Sequence, residues 1–207
     1  VLSPINSSTR EGIFPYRQAA WLRVTGSDAA NFLQGQFTND LRTLATAPAV
    51  YGLWLNVKGK VLADSFVVRG HEPETFWLGS YASSPDVIRE RLESFIIADD
   101  VTITDETASW AAVSGVGPEA TSRFAAIPAG DGFVFPGRRV PAGGLEWVYP
   151  LANESQVREH LGGWLELSSA QLDYRRIAAG IPAVPADIGP GDLPNEGGLE
   201  VDALSYT

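Results

Sequence analysis

The chain has 207 residues, 44% of them apolar and 19% charged, and a formal net charge of −10. This is the make-up of a globular protein with a sizeable core, and the acidic balance excludes broad binding to nucleic acid or to an anionic membrane, which needs a basic field. Cysteine is absent, which excludes disulfides, a thiolate nucleophile and cysteine-ligated metal within these residues.

Residues 1 to 18 are mixed and turn-rich and read as an irregular lead-in. WLRVTG (21–26) alternates like a strand, and Ser27 is placed to cap the short helix DAANFLQGQ, with Asp28 at its positive end. AVYGLWLNV (49–57), VLADSFVVR (61–69) and ETFWLGSY (74–81) read as strands, the first two joined by a tight turn at Gly59. Ser84-Pro85 opens a helix whose Ile88, Leu92, Phe95 and Ile96 recur at helical spacing, and VTITDET (101–107) closes the unit as a strand. A second copy follows: strand 109–117, helix 118–127, strands in GFVFPG and LEWVYPLA, and helix 154–163. A further helix over 166–180 ends at Gly180, and a proline- and glycine-rich stretch with few helix or strand signals comes after it. The order predicts an α+β fold of two split βαβ (ferredoxin-like) units with antiparallel sheets. The expected division is 1–107 and 108–207, the second unit including the irregular C-terminal segment.

Three polar clusters are candidates for chemistry. LQGQFTND (33–40) sets Thr38 and Asp40 at a helix exit, where the alternative is an Asx-type turn. NVKGKVLAD (56–64) holds the only two lysines, Lys58 and Lys60, with Asn56 before them and Asp64 on the outgoing strand. Two ammonium groups beside a glycine suit a carboxylate or phosphate, and the alternative is a solvated hairpin tip. DYRRIAAG (173–180) offers Arg176, which a surface position would equally explain. His71 and His160 are far apart and one pair does not make a metal site, so no metal is expected. No apolar run nears the roughly 20 residues of a membrane span, and no signal pattern opens the chain. GxSxG, P-loop and GxGxxG fingerprints are absent.

Three segments together resemble the YgfZ-type folate-binding proteins, relatives of the glycine-cleavage T-protein (aminomethyltransferase). WLRVTGSDAANFLQGQFTNDL (21–41) is similar to the opening of that family, NVKGKVLADSFVVR (56–69) to its strand–turn–strand, and 174–207 to the stretch leading into its K-G-C-Y-x-G-Q-E signature. The chain stops where that signature would begin, so the resemblance implies a T-protein-like fold without its C-terminal β-barrel. It implies a tetrahydrofolate-binding accessory of iron–sulfur cluster assembly or repair in the cytoplasm. Its partners would be folate or another small anion and iron–sulfur proteins, with no membrane, no direct nucleic-acid contact, and only indirect effects on tRNA modification. Carried residue by residue, the folate cavity would be lined by Thr38, Asp40, Asn56, Lys58, Lys60, Asp64 and Arg176. Two departures follow. Where T-proteins carry an Asp-Asp pair, this chain has Ala63 and Asp64, leaving Asp64 as the one candidate catalytic carboxylate. Where the family holds the pterin with a glutamate, this chain has Ala178, which weakens the folate expectation. The alternatives are an aminomethyltransferase-like one-carbon transfer enzyme and a non-catalytic interaction scaffold.

Overall fold

The computed structural model describes residues 11–127 and 130–206, and they form two compact units. One comprises residues 17–110 and 182–207, the other 1–16 and 111–181. This differs from the expected division at 107/108. The N-terminal strand and the C-terminal segment each join the unit remote from them in sequence, because β-pairing and apolar burial outweigh chain proximity.

The first of these units holds a five-stranded sheet. Its strands are β2 (Ala20–Thr25), β3 (Ala49–Leu55), β4 (Val61–Arg69), β5 (Thr75–Ser80) and β6 (Thr102–Asp105), in the order β3-β4-β5-β2-β6. Every pair in it is antiparallel. Helices α1 (Ala29–Gln36) and α2 (Pro85–Glu93) bury Phe32, Leu33, Ile88 and Leu92 against Leu22, Val24, Trp54, Ala63, Val67 and Leu78 of one sheet face. The opposite face packs Leu53 and Val61 on Val184, Ile188, Leu199 and Ala203 of the C-terminal segment. That segment has two short 3-10 turns, Pro194–Gly197 and Leu199–Val201, and is otherwise irregular, as its proline and glycine content predicts. It nonetheless supplies one side of a core.

Trp21, Trp77 and Trp110 cluster on the same face as the C-terminal segment, Trp21 stacking on Trp77 at 5.5 Å between ring centroids and Trp77 meeting Trp110 at 4.8 Å. Gly79 is opposite Trp21 across the β2–β5 ladder, and a Cβ there would fall 2.5 Å from the indole. A side chain at 79 is therefore incompatible with this stack.

The other unit holds β1 (Gly12–Tyr16), β7 (Trp110–Val116, its first residue contributed from the neighbouring unit), β8 (Phe133–Pro136) and β9 (Gly144–Pro150), in the order β1-β7-β9-β8. Helices α3 (Pro118–Ala126), α4 (Glu154–His160) and α5 (Ser169–Ala178) belong to it. Its core gathers Ile13, Val113, Phe124, Trp147, Tyr149 and Val157. Residues 12–16 were expected to be irregular and instead pair antiparallel with β7. This strand occupies the flank of β7 that β6 occupies beside β2 in the first sheet. Its partner is about a hundred residues away, so no local signal marks it, and Pro15 is tolerated because β1 lies at the sheet edge. Residues 1–10 of the expected lead-in lie outside the described residues.

Two helix starts differ in detail from expectation. Ser27 does not cap α1: its amide and hydroxyl both donate to the Asp100 carboxylate, while the Asp100 amide donates to Asp28 at 2.8 Å. Ser84 precedes α2 without a side-chain cap bond, leaving Pro85 and Asp86 as its start signals. At α5, Ser168 and Gln171 form a reciprocal capping box. Among the described residues no helix is long and apolar enough to cross a membrane.

Candidate functional site

The candidate residues begin at the exit of α1, where Phe37-Thr38-Asn39 runs beside β3, the edge strand of its sheet. An edge strand presents unpaired N–H and C=O groups. Here the passing segment satisfies them: the Thr38 hydroxyl accepts from the Leu53 amide at 2.8 Å and donates to the Ala203 carbonyl at 2.7 Å. Asn39 Nδ2 donates to the carbonyls of Tyr51 (2.8 Å) and Asp202 (3.0 Å), and the Ser205 amide donates to the Thr38 carbonyl. Thr38 and Asn39 thus stitch sheet edge, helix exit and C-terminal segment together. Asp40 turns away from this seam. It accepts from the Arg42 amide and takes two contacts from its guanidinium, at 2.7 and 2.9 Å. Arg42 holds the Asp40 carboxyl below the usual carboxylate range.

The turn between β3 and β4 is built on Asn56. Its Oδ1 accepts from the amides of Lys58 (2.9 Å) and Lys60 (3.1 Å), and the Asn56 amide donates to the Lys60 carbonyl. Gly59 closes the turn at φ +74°, which a Cβ would strain. Lys58 is exposed, Lys60 is half-buried, and neither ammonium has a partner among the described residues. Asn56 is therefore the organiser of the turn, and the two lysines are its free charges.

Past the turn, Leu62 is bulged out where Trp54 pairs with Ala63 and Leu55 with Val61. The bulge puts Val61 and Asp64 on the same face, the one covered by the C-terminal segment. Asp64 is 5% exposed. It accepts from the Tyr51 hydroxyl (2.9 Å) at one oxygen and from Ser80 (2.7 Å) and Ser83 (2.6 Å) at the other, and the Ser83 hydroxyl also accepts from the Asp64 amide. The Tyr51 ring packs on Phe66 and Phe66 on Tyr81, fixing the phenol over the carboxylate.

Ala63 lies on the opposite face, in the helix-side core with Trp54 and Val67. Consecutive strand residues point to opposite faces, so on this backbone an acid at 63 would be buried under the helices and not beside Asp64.

Arg176 lies in the other unit. Its guanidinium donates to the Ile181 carbonyl at 2.8 Å and approaches Asp173 at 3.8 Å, binding the end of α5 to the chain that leaves it. The structure thus joins Thr38 with the C-terminal segment, Asn56 with Lys58 and Lys60, and Asp64 with three hydroxyls.

Sequence reading missed Tyr51, Ser80 and Ser83. Of these only Tyr51 shares the strand face of Asp64; Ser80 pairs with Ala20 at the end of β5 and Ser83 lies in the turn beyond it, so strand alternation marks neither serine. Sequence reading also missed a buried carboxylate in the other unit. Glu146 is 1% exposed and accepts from Tyr16 (2.8 Å) and Ser114 (2.7 Å), and Arg139 stacks on the Tyr16 ring at 4.4 Å. Burial, then the Glu146 charge, pushes the Tyr16 hydroxyl well above its ordinary pKa. Among the described residues no group of three or more His, Cys, Asp or Glu is placed to hold a metal ion.

Comparison with known proteins places these elements in a family. An iron–sulfur cluster assembly factor IBA57 homologue of Neurospora crassa, mitochondrial, is 25% identical over 205 residues, covering 93% of this chain and 46% of that protein. The aminomethyltransferase of Clostridium botulinum is 32% identical over 109 residues, 53% of this chain and 29% of that protein. The chain spans less than half the length of these relatives. The glycine cleavage system aminomethyltransferase T of Bartonella henselae superposes with a TM-score of 0.78 at 20% identity, over 96% of this chain and 61% of that one, and so shares the α+β fold. Residues 7–131 match the GCVT N-terminal domain, more than half of the chain, and the protein belongs to that family.

Proposed function

We propose that this protein is an accessory of iron–sulfur cluster assembly or repair that binds a reduced folate weakly, and that it does not transfer one-carbon units. The observation that carries the reading is coverage in sequence, since the fold is shared with an aminomethyltransferase over nearly the whole chain. The assembly-factor homologue matches along 93% of the chain, whereas the aminomethyltransferase of Clostridium botulinum matches along 53%.

The geometry of Asp64 supports it. One-carbon transfer to a folate nitrogen calls for a carboxylate that meets the reacting atoms and handles a proton. Asp64 is covered, and three hydroxyl donors occupy its oxygens. With Ala63 facing the helices, no second carboxylate from its neighbour joins it.

A folate offers an aminopyrimidine edge that seeks a carboxylate and a tail that bears carboxylates. Lys58 and Lys60 fit the tail, since their charges are unpaired among the described residues. Asp64 follows four residues after Lys60, roughly 10–13 Å along β4 at 3.3 Å per residue, a separation that suits an extended ligand. The ring edge fits less well. Asp64 is already hydrogen-bonded to three hydroxyls. The chain's own contribution is then electrostatic retention of the tail, and affinity should be modest and salt-sensitive.

Calorimetric titration with tetrahydrofolate tests the folate half: saturable binding weaker than about 10 µM, lost on joint Lys58→Glu and Lys60→Glu substitution, is expected. No saturation by 1 mM, or binding indifferent to the double substitution, overturns it. The accessory half is tested by following [4Fe–4S] absorption in an apo acceptor protein with and without the chain. One-carbon transfer above background, lost on Asp64→Asn, would establish the enzyme reading instead.

A further inference from the structure

On the helix side of the five-stranded sheet, away from Asp64, a cleft of about 260 Å³ opens between α1, the short 3-10 turn Leu41–Ala45 and the paired ends of β4 and β5. Its floor is apolar: Leu41, Leu44 and Phe76 are all buried core side chains. Its rim carries Asn31, Arg42 and Arg69, each exposed. The cleft contains no acidic side chain. Arg42 is neutralised by Asp40, which takes its Nε and one terminal nitrogen. Arg69 has no ion pair or hydrogen bond among the described residues, and the Asn31 amide has none either.

Among the described residues no carboxylate pairs with Arg69, although the chain has 25 acidic and 15 basic residues. Arg69 pairs with Phe76 across the β4–β5 ladder, so both side chains leave the sheet on the same face. The guanidinium therefore stands beside the apolar floor. This is the arrangement of a small-molecule site: an apolar recess with a few polar groups converging at its mouth. The volume is below the roughly 300–1,000 Å³ of drug-sized pockets, which restricts the occupant to about ten non-hydrogen atoms.

We infer that this cleft is a binding site for a small carboxylate with an apolar body, aryl or branched aliphatic, whose body rests on Leu41, Leu44 and Phe76 and whose carboxylate is taken by Arg69. A guanidinium meets a carboxylate through two parallel N–H donors, which neither an ammonium nor an amide reproduces. Asn31 adds an amide donor at the same rim. The site is independent of the folate reading, because it lies on the other face of the sheet and shares no residue with the lysine turn.

The test is a 1H–15N amide titration of the whole chain with 3-phenylpropionate, beside its neutral counterpart 3-phenylpropan-1-ol. Saturable shifts confined to residues 30–45, 69 and 76 are expected, with a Kd of about 0.1–1 mM for the acid. The alcohol should bind about tenfold more weakly, and Arg69→Gln should weaken the acid by the same factor while leaving the alcohol unchanged. Arg69 is exposed, so this variant should keep the wild-type spectrum away from the cleft. Absence of saturable shifts by 10 mM overturns the inference. So does equal binding of acid and alcohol, or Arg69→Gln binding the acid as well as wild type does.

Discussion

Thr38→Val separates a structural role for this residue from a ligand-binding one. The hydroxyl makes two hydrogen bonds that nothing else replaces, from the Leu53 amide at 2.8 Å and to the Ala203 carbonyl at 2.7 Å. Valine keeps the branch and removes both. A net hydrogen bond contributes about 1 kcal/mol, and leaving a buried donor unsatisfied adds about 1–3 kcal/mol. Leu53 is fully buried, so its amide has no ready access to water. The expected loss is therefore about 2–4 kcal/mol, a large fraction of the roughly 5–15 kcal/mol that holds a domain together. Urea denaturation gives the total. Native-state hydrogen exchange locates it: the Leu53 and Ser205 amides should lose protection, while Val24 in the sheet centre loses only the global component. Thr38→Ser, which keeps the hydroxyl, should recover most of the loss. A Thr38→Val protein within about 0.5 kcal/mol of wild type, with Leu53 still protected, would refute the edge-stitching argument.

Two further outcomes follow from the packing. Gly79→Ala should cost about 1–3 kcal/mol and perturb tryptophan fluorescence, because the new Cβ falls 2.5 Å from the Trp21 ring; unchanged stability and emission would refute the stacked arrangement. Alkaline pH should destabilise the fold through Tyr16, whose folded pKa is raised above the ordinary 10.0 by burial and by Glu146. The unfolded tyrosine loses its proton from about pH 10 while the folded one keeps it, so stability is intact below that pH and falls as pH rises toward the folded value. Tyr16→Phe should flatten that decline, and an identical slope in wild type and variant would count against it.

Much of the local structure is legible in the sequence. The strand alternation of WLRVTG and VLADSFVVR, the Ser84-Pro85 start and the glycine turn at 59 are short-range signals, and each marks an element that forms. The antiparallel α+β plan follows from their order. The candidate site was legible as a set of positions, while its geometry was not. Thr38 and Asp40 stood out as polar residues at a helix exit, yet one holds the sheet edge and the other holds Arg42. Asn56 stood beside the lysines as one more polar group, yet it is what shapes their turn.

What the sequence determined by itself is periodicity, turn chemistry and the identity of the ionisable groups, because those are set by residues within a few positions of one another. Tertiary structure decided the rest. It paired Gly12–Tyr16 with β7, and it laid the irregular segment after residue 181 over Leu53 and Val61 as part of a core. It placed one bulged residue at Leu62, so that Val61 and Asp64 share a face, with Asp64 held by Tyr51, Ser80 and Ser83 and Ala63 turned to the helices. Alternation says that neighbouring side chains point apart; only the packed sheet says which face each one meets, and so whether a carboxylate is open to a ligand or closed within hydroxyls.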